Sequence, residues 1–249
     1  MGEGNTDIQN KTALVTGGAR RVGRAIALAL AWSGAHVAIT YNSSAAEAKT
    51  TLAEIEQAGV RAAAFQCDQR QIESIDALFQ ALRRAFDRLD ILINSAAIME
   101  RRPVLDVTPG DWERVVNTNL RGPFFMAQAA AKWMIESGGG GSIVNIADLS
   151  AIHPWPSYII HTIGKSGIVA MTQALALALA PSIRVNAIAP GAVLKPVDWD
   201  EERWTKLAGS LPLQRTGSPA DVAEAVLFCL RSDFMTGETL VVDGGRSLK

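Results

Sequence analysis

The sequence has almost no net charge: 24 Lys and Arg stand against 25 Asp and Glu, a formal charge of −1. No electrostatic case exists for binding nucleic acid or an anionic membrane. Cysteine is nearly absent, with only Cys67 and Cys229, each inside an apolar segment. Buried reduced thiols are expected rather than a disulfide, and with them a reducing, cytoplasmic setting. The opening MGEGNTDIQNK has no apolar signal core, so residues 1–10 read as a short flexible lead. The most apolar run, Gly167–Ala180, is too short to span a bilayer and contains Thr172 and Gln173. No linker-like or low-complexity stretch and no sequence repeat divides residues 11–249. A length of 249 residues is ample for one large core.

What is present alternates between strand and helix patterns, the sign of βαβ units and a parallel sheet. Strands are expected at Thr12–Thr16, His36–Thr40, Arg61–Cys67, Leu89–Asn94, Ser142–Ala147, Ile183–Ala189 and Glu238–Val242. Helices are expected at Arg20–Trp32, Ala45–Ala58, Ile72–Phe86, Gly110–Asn119, Pro123–Glu136, Ser157–Ala180 and Pro219–Arg231. Gly122 separates the fourth and fifth of these, and Pro190–Leu211 reads as a long irregular segment. The expectation is a single-domain α/β Rossmann fold with a doubly wound seven-stranded parallel sheet. The helix after Lys165 is apolar almost all round, which calls for cover on more than one side: the sheet, and a second subunit.

Two places carry the chemistry. Thr16–Gly23 (TGGARRVG) lies between the first strand and its helix. Glycines there allow a tight turn and close approach of a pyrophosphate, whose charge the helix N-terminus favours. The spacing is not GxGxxG, and Arg21 stands in the loop. After the second strand, Tyr41-Asn42-Ser43-Ser44 offers no acid for the ribose 2′-hydroxyl of NAD. Hydroxyls, an amide and the charge of Arg20 or Arg21 suit a 2′-phosphate instead, so NADP(H) is expected. The second place is Asn145–Lys165. His161 and Lys165 are spaced i, i+4 and share a helix face, Tyr158 is expected to join it, and Asp148 sits at the strand end. His153, in the loop, reads as surface. No metal site is expected.

These motifs together resemble the short-chain dehydrogenase/reductase family over nearly the whole chain. The matching residues are TGGARRVG, Asp68, Asn94-Ser95-Ala96-Ala97, Asn119 in NLRG, Lys165, Pro190-Gly191, and Thr236–Gly245 (TGETLVVDGG). The resemblance implies that Asp68 contacts adenine and that Asn94–Ala97 line the cofactor. It further implies that Lys165 binds the nicotinamide ribose and that Asn119 supports a proton-relay water. The cofactor set expected on these grounds is Gly17, Arg20, Arg21, Val22, Tyr41, Asn42, Ser43, Asp68, Gln69, Asn94, Ser95, Ala96, Lys165, Pro190, Gly191 and Val193. The family places Ser at Asp148 and Tyr at His161, usually Gly at Arg21, and Thr at Lys195. Arg21, Asp148 and Tyr158 look like the pteridine reductase branch, in which the arginine meets cofactor phosphate and pterin and the aspartate helps donate a proton. His161 matches neither pattern.

An unperturbed imidazole titrates near pH 6.5 and needs no help to act as an acid near neutrality. Lys165 disfavours the imidazolium and Asp148 favours it. The expected catalytic set is Asp148, His161 and Lys165, with Asn119 added by the family resemblance. Segment 192–211 is expected to cover the substrate, with Trp199 and Trp204 among Lys195, Asp198, Asp200, Glu201 and Glu202. Trp155 faces them, and Arg21 and Tyr158 join the substrate contacts. Aromatic walls with few polar anchors suit a flat heterocycle or ring carbonyl. The same tryptophans would equally serve to anchor the lid. The expectation is an NADPH-dependent, pteridine-reductase-like enzyme acting on a small molecule as a homotetramer or homodimer. A reductase of 3-oxoacyl thioesters or of other carbonyls is the alternative within that chemistry. A nucleotide-binding module or sensor that has lost turnover is the alternative of another class.

Overall fold

The computed structural model describes residues 7–196 and 199–249. Its strands are β1 (Thr12–Val15), β2 (His36–Tyr41), β3 (Ala62–Gln66), β4 (Ile91–Asn94), β5 (Gly141–Ile146), β6 (Ile183–Pro190) and β7 (Thr239–Val242). Its α-helices are α1 (Arg21–Trp32), α2 (Ala45–Glu56), α3 (Ile72–Ala85), α4 (Pro109–Val116), α5 (Gly122–Glu136), α6 (Ile159–Leu179), α7 (Glu201–Ser210) and α8 (Pro219–Arg231). The seven strands form one parallel sheet in the order β3-β2-β1-β4-β5-β6-β7. The order reverses between β1 and β4, where doubly wound sheets open a crevice at the strands' carboxyl ends.

The strands are short apolar runs because both sheet faces are covered. Ala13, Val15, Ile91 and Ile93 point into a layer with Ile26, Leu30, Val222 and Val226 of α1 and α8. Leu14, Leu92 and Ile143 point the other way, against Phe79, Leu82, Met126 and Met134 of α3 and α5. Two of the helices, α4 and α8, start at side-chain caps followed by proline. Thr108 and Ser218 each form a reciprocal capping box with the aspartate three residues on, followed by proline in the first turn.

Four features differ from the sequence reading. Gly122 does not break the helix: α4 runs through a π-helical turn, Asn117–Arg121, straight into α5. The segment after Pro190 is not irregular throughout, because Asp200 caps α7 by accepting from the Arg203 N–H. Tyr158 is the residue before α6, at φ −130 and ψ 41, so it does not share the helical face of His161 and Lys165. The helix bearing the apolar run has 21 residues and, on length and composition alone, is long enough to cross a bilayer. It is instead a core helix, with Ile168 and Met171 buried against Ala187 and Ala189 of β6.

Of the expected lead, residues 7–10 are described: Ile8 is buried, Asp7, Gln9 and Asn10 are exposed, and the Asn10 N–H donates to the Gly34 carbonyl. Residues 1–6 and Asp198 lie outside the described residues. Cys67 and Cys229 are buried free thiols, both pushed upward chiefly by burial, Cys229 to about 11.

Candidate active site

A cleft of about 470 Å³ opens along the carboxyl ends of β1, β2, β4 and β5. One end is the β1–α1 loop. Gly17 has φ +64, and a Cβ on it would lie 2.9 Å from the Ala96 Cα. A Cβ on Gly23 would lie 2.3 Å from the Gly17 carbonyl oxygen. Side chains are thus excluded where backbone must approach a ligand. Arg20, the residue before α1, makes no side-chain cap, so the first N–H groups of the helix are free for a phosphate. Thr16 Oγ1 accepts from the Ser95 and Ala96 N–H groups at 3.0 and 3.1 Å, tying the two loops together. This cradle fits a dinucleotide pyrophosphate.

Most of the expected cofactor residues line this cleft: Gly17, Arg20, Arg21, Val22, Tyr41, Asn42, Ser43, Asp68, Gln69, Ser95, Ala96, Lys165, Pro190, Gly191 and Val193. Asn94 does not line it. It sits beneath the floor, donating to the Pro123 carbonyl and to Asn145 Oδ1. Gln69 donates to the Ala96 and Thr118 carbonyls and braces the wall. The Asp68 carboxylate is held by Arg70 through contacts of 2.5–3.1 Å, and this pairing holds its pKa below the usual carboxylate value. The sequence reading missed Arg70, Ile98, Glu100, Arg114 and Thr118 in the lining. Of these, only Ile98 had a signal, since it follows the Asn94–Ala97 motif directly.

The other end of the cleft gathers Asp148, His161 and Lys165. Asp148 follows β5, and its Oδ1 accepts from the Ser150 N–H at 2.7 Å. Its Oδ2 lies 3.8 Å from His161 Nε2. Burial pushes the Asp148 pKa up, but the His161 ring and the Ser150 amide outweigh it and the net shift is downward. Asp148 is therefore a carboxylate at neutral pH. Lys165 is 5% exposed, and its Nζ donates to the Ile146 carbonyl at 2.6 Å. Burial pulls its pKa down to about 8, with Asp148 acting in the opposite direction. His161 is 4% exposed, and its Nε2 has no hydrogen-bond partner among the described residues. Its Nδ1 lies 3.1 Å from the Ile98 carbonyl oxygen and 3.2 Å from Asn119 Nδ2.

Trp155, Tyr158 and Trp199 are not among the lining residues. Trp155 and Tyr158 pack edge to face at 6.2 Å, with Arg246 over Trp155. Trp199 packs on Trp204 at 6.4 Å and carries Arg203 over its ring at 3.8 Å. In this arrangement Trp199 and Trp204 pack on each other and on Arg203 rather than into the cleft. Lys195 pairs with Glu201, and His153 is exposed, as expected.

A doubly wound parallel sheet, a glycine loop shaped for a pyrophosphate and an acid/base cluster beside it define the class of nicotinamide-dinucleotide oxidoreductases. A family model described as Enoyl-(Acyl carrier protein) reductase matches residues 17–247. The chain is 36% identical to 3beta-hydroxysteroid dehydrogenase 1 of Eggerthella lenta, over 97% of this chain and 95% of that protein. It is 35% identical to L-rhamnose 1-dehydrogenase (NAD(P)(+)) of a Sphingomonas species, over 96% of each. The solved structure of acetoin dehydrogenase from Enterobacter cloacae superposes with a TM-score of 0.88 at 34% identity, covering 96% of each chain. A dehydrogenase/reductase from Sinorhizobium meliloti gives 0.88 at 36% identity, covering 96% of this chain and 97% of that one. The chain belongs to the short-chain dehydrogenase/reductase family and is an oxidoreductase using NAD(P)(H).

Proposed function

We propose that the protein is an NADP(H)-dependent reductase of a flat ring carbonyl or imine, similar to the pteridine reductase branch, with His161 as its proton donor. The observation that carries the reading is the buried Asp148–His161–Lys165 cluster at the end of the cofactor cleft. A bound reduced nicotinamide supplies hydride. The substrate atom that gains charge as the hydride arrives then needs a proton. His161 is among the residues lining the cleft, its buried Nε2 has no hydrogen-bond partner among the described residues, and it is the group assigned to give that proton. Asp148 attracts the imidazolium and sits where a substrate N–H or O–H would be accepted. Lys165 adds positive charge beside the nicotinamide ribose. The steroid and sugar dehydrogenases named above support reaction at a ring carbon, and a 3-oxoacyl thioester remains the alternative substrate. The test is a panel with NADPH that includes dihydrobiopterin, quinones, cyclic ketones and acetoacetyl thioesters. NADPH binding without oxidation across this panel would favour a nucleotide-binding sensor.

The choice of NADP(H) rests on the rim of the cleft, where Arg20, Arg21, Asn42, Ser43 and Ser44 meet and no acid follows β2. Arg21 has φ +55, a left-handed conformation that costs a residue with a side chain about 1–2 kcal/mol. Such strain persists where a side chain is needed. In fluorescence titrations NADPH is expected to bind more tightly than NADH. Arg21→Gly should weaken NADPH about tenfold or more, the scale of a lost charge-assisted hydrogen bond. It should leave thermal stability equal or higher. Equal affinity for the two cofactors in the wild type defeats this assignment.

A homotetramer or homodimer is proposed from the outer side of α6, where Ile163 and Leu177 are 40% and 86% exposed. Trp112 on the adjoining α4 is exposed too. Light scattering at micromolar concentration should give a multiple of the chain mass, and a monomer would remove the argument. Cytoplasmic placement rests on the two free thiols alone.

A further inference from the structure

Asn119 lies in the π-helical turn between α4 and α5 and is 1% exposed. Its side chain grips one residue at both ends: the Ile98 N–H donates to Oδ1 at 2.9 Å, and Nδ2 donates to the Ile98 carbonyl at 2.8 Å. The N–H fixes which end of the amide is oxygen, so the group cannot be turned over without setting one N–H against another. The same Ile98 carbonyl lies 3.1 Å from His161 Nδ1. A carbonyl oxygen has two lone pairs and can accept from Asn119 and from the ring together.

Resting on the reading of His161 as proton donor, we propose that Asn119 is a positioning residue that acts through the Ile98 carbonyl. By clamping that peptide it keeps an acceptor on His161 Nδ1, so Nδ1 retains its proton and Nε2 is the nitrogen that exchanges. The balance is simple. The imidazolium gives its Nε2 proton to the substrate atom made basic by hydride, the ring is left neutral with its proton on Nδ1, and solvent returns a proton to Nε2. The charged groups facing the ring are Asp148, 3.8 Å from Nε2, and Lys165, one helical turn along α6. The competing arrangement is a bare Nδ1 accepting from Asn119 Nδ2, which approaches it at 3.2 Å. The two arrangements place the proton of the neutral ring on opposite nitrogens.

The experiment is nitrogen NMR of protein labelled in histidine, with and without NADP+, across the imidazole titration. Only three histidines occur, so His36→Gln and His153→Gln assign the spectrum. The neutral His161 ring is expected to carry its proton on Nδ1 in the wild type and to lose that preference in Asn119→Ala. In the same variant kcat should fall about tenfold or more with NADPH affinity unchanged, as for a group acting only during turnover. Asn119→Asp, of equal size, should move the falling limb of the pH profile upward, because a carboxylate beside Nδ1 favours the imidazolium. A wild-type ring bare at Nδ1 overturns the proposal, even if Asn119→Ala fails to fold. So does an unchanged tautomer in Asn119→Ala or an unmoved limb in Asn119→Asp. A protonated Nδ1 in a protein without turnover would defeat the catalytic reading and leave only the assignment of the ring proton by Asn119 and Ile98; a catalytic His161 with a bare Nδ1 would overturn that assignment and leave the catalytic reading.

Discussion

His161→Ala is expected to lower turnover about 10²-fold or more, the usual scale for a general acid. The ring is buried among the residues lining the cleft, and Asp148 Oδ2 lies 3.8 Å from its Nε2. In the wild type the reductive rate should fall as pH rises, because only the imidazolium can give a proton and leave a neutral ring. Asp148→Ala removes the charge that attracts the imidazolium, so its loss should appear chiefly at the alkaline end. His161→Tyr substitutes a phenol, whose ordinary pKa near 10 would carry the falling limb to higher pH. Steady-state profiles of the three variants decide the matter. A rate unchanged in His161→Ala would move suspicion to Asp148. No turnover in the wild type, with activity appearing in His161→Tyr, would make the protein a binding module that has lost its acid.

The second large effect sets stability against activity at one residue. Burial holds Lys165 at about 8 rather than 10.5, so the unfolded chain binds its proton more tightly than the folded one. Below about pH 8 the folded protein carries the full cost of burying that charge, on the order of 3 kcal/mol. Because the unfolded state binds more protons between pH 8 and 10.5, this cost is relieved as pH rises through that window. Lys165→Met keeps the length of the chain and removes the charge. It also strips the Ile146 carbonyl of its donor, a loss of about 1–3 kcal/mol. The variant should therefore be no less stable than the wild type at pH 7 in thermal denaturation, and any advantage should shrink toward pH 10. Its turnover should fall about 10²-fold, the scale of removing one preorganised donor, with weaker NADPH binding. A Lys165→Met protein that melts well below the wild type at pH 7 would show that the charge is better accommodated than its burial implies.

The strand and helix alternation, the parallel sheet and the glycine loop were legible in the sequence because each rests on local or periodic constraints. Gly17 and Gly23 are glycines because a Cβ at either would strike neighbouring backbone, and the spacing of strand, loop and helix announces that need. His161 and Lys165 reach one site because α6 places i and i+4 on one face. Tyr158 shows where periodicity ends: its three-residue spacing suggested the same face, but the helix begins after it. Gly122 misled in the same way, since helix propensity disfavours glycine while packing against Gln69 leaves no room for a side chain there.

Only the tertiary structure decided which atoms meet. The Ile98 carbonyl at His161 Nδ1 is a backbone group, common to every residue type, so no side-chain pattern could announce it. The Arg70 side chain folding back on Asp68, two residues away, and the packing of Trp199 on Trp204 rather than into the cleft are rotamer choices that residue patterns do not specify. The sequence determined the fold, the family and the cofactor cleft, because those follow from patterns repeated along the chain. Three-dimensional packing alone settled the partners of His161 at its end, because they come from separate elements that meet only when the sheet is closed on both faces.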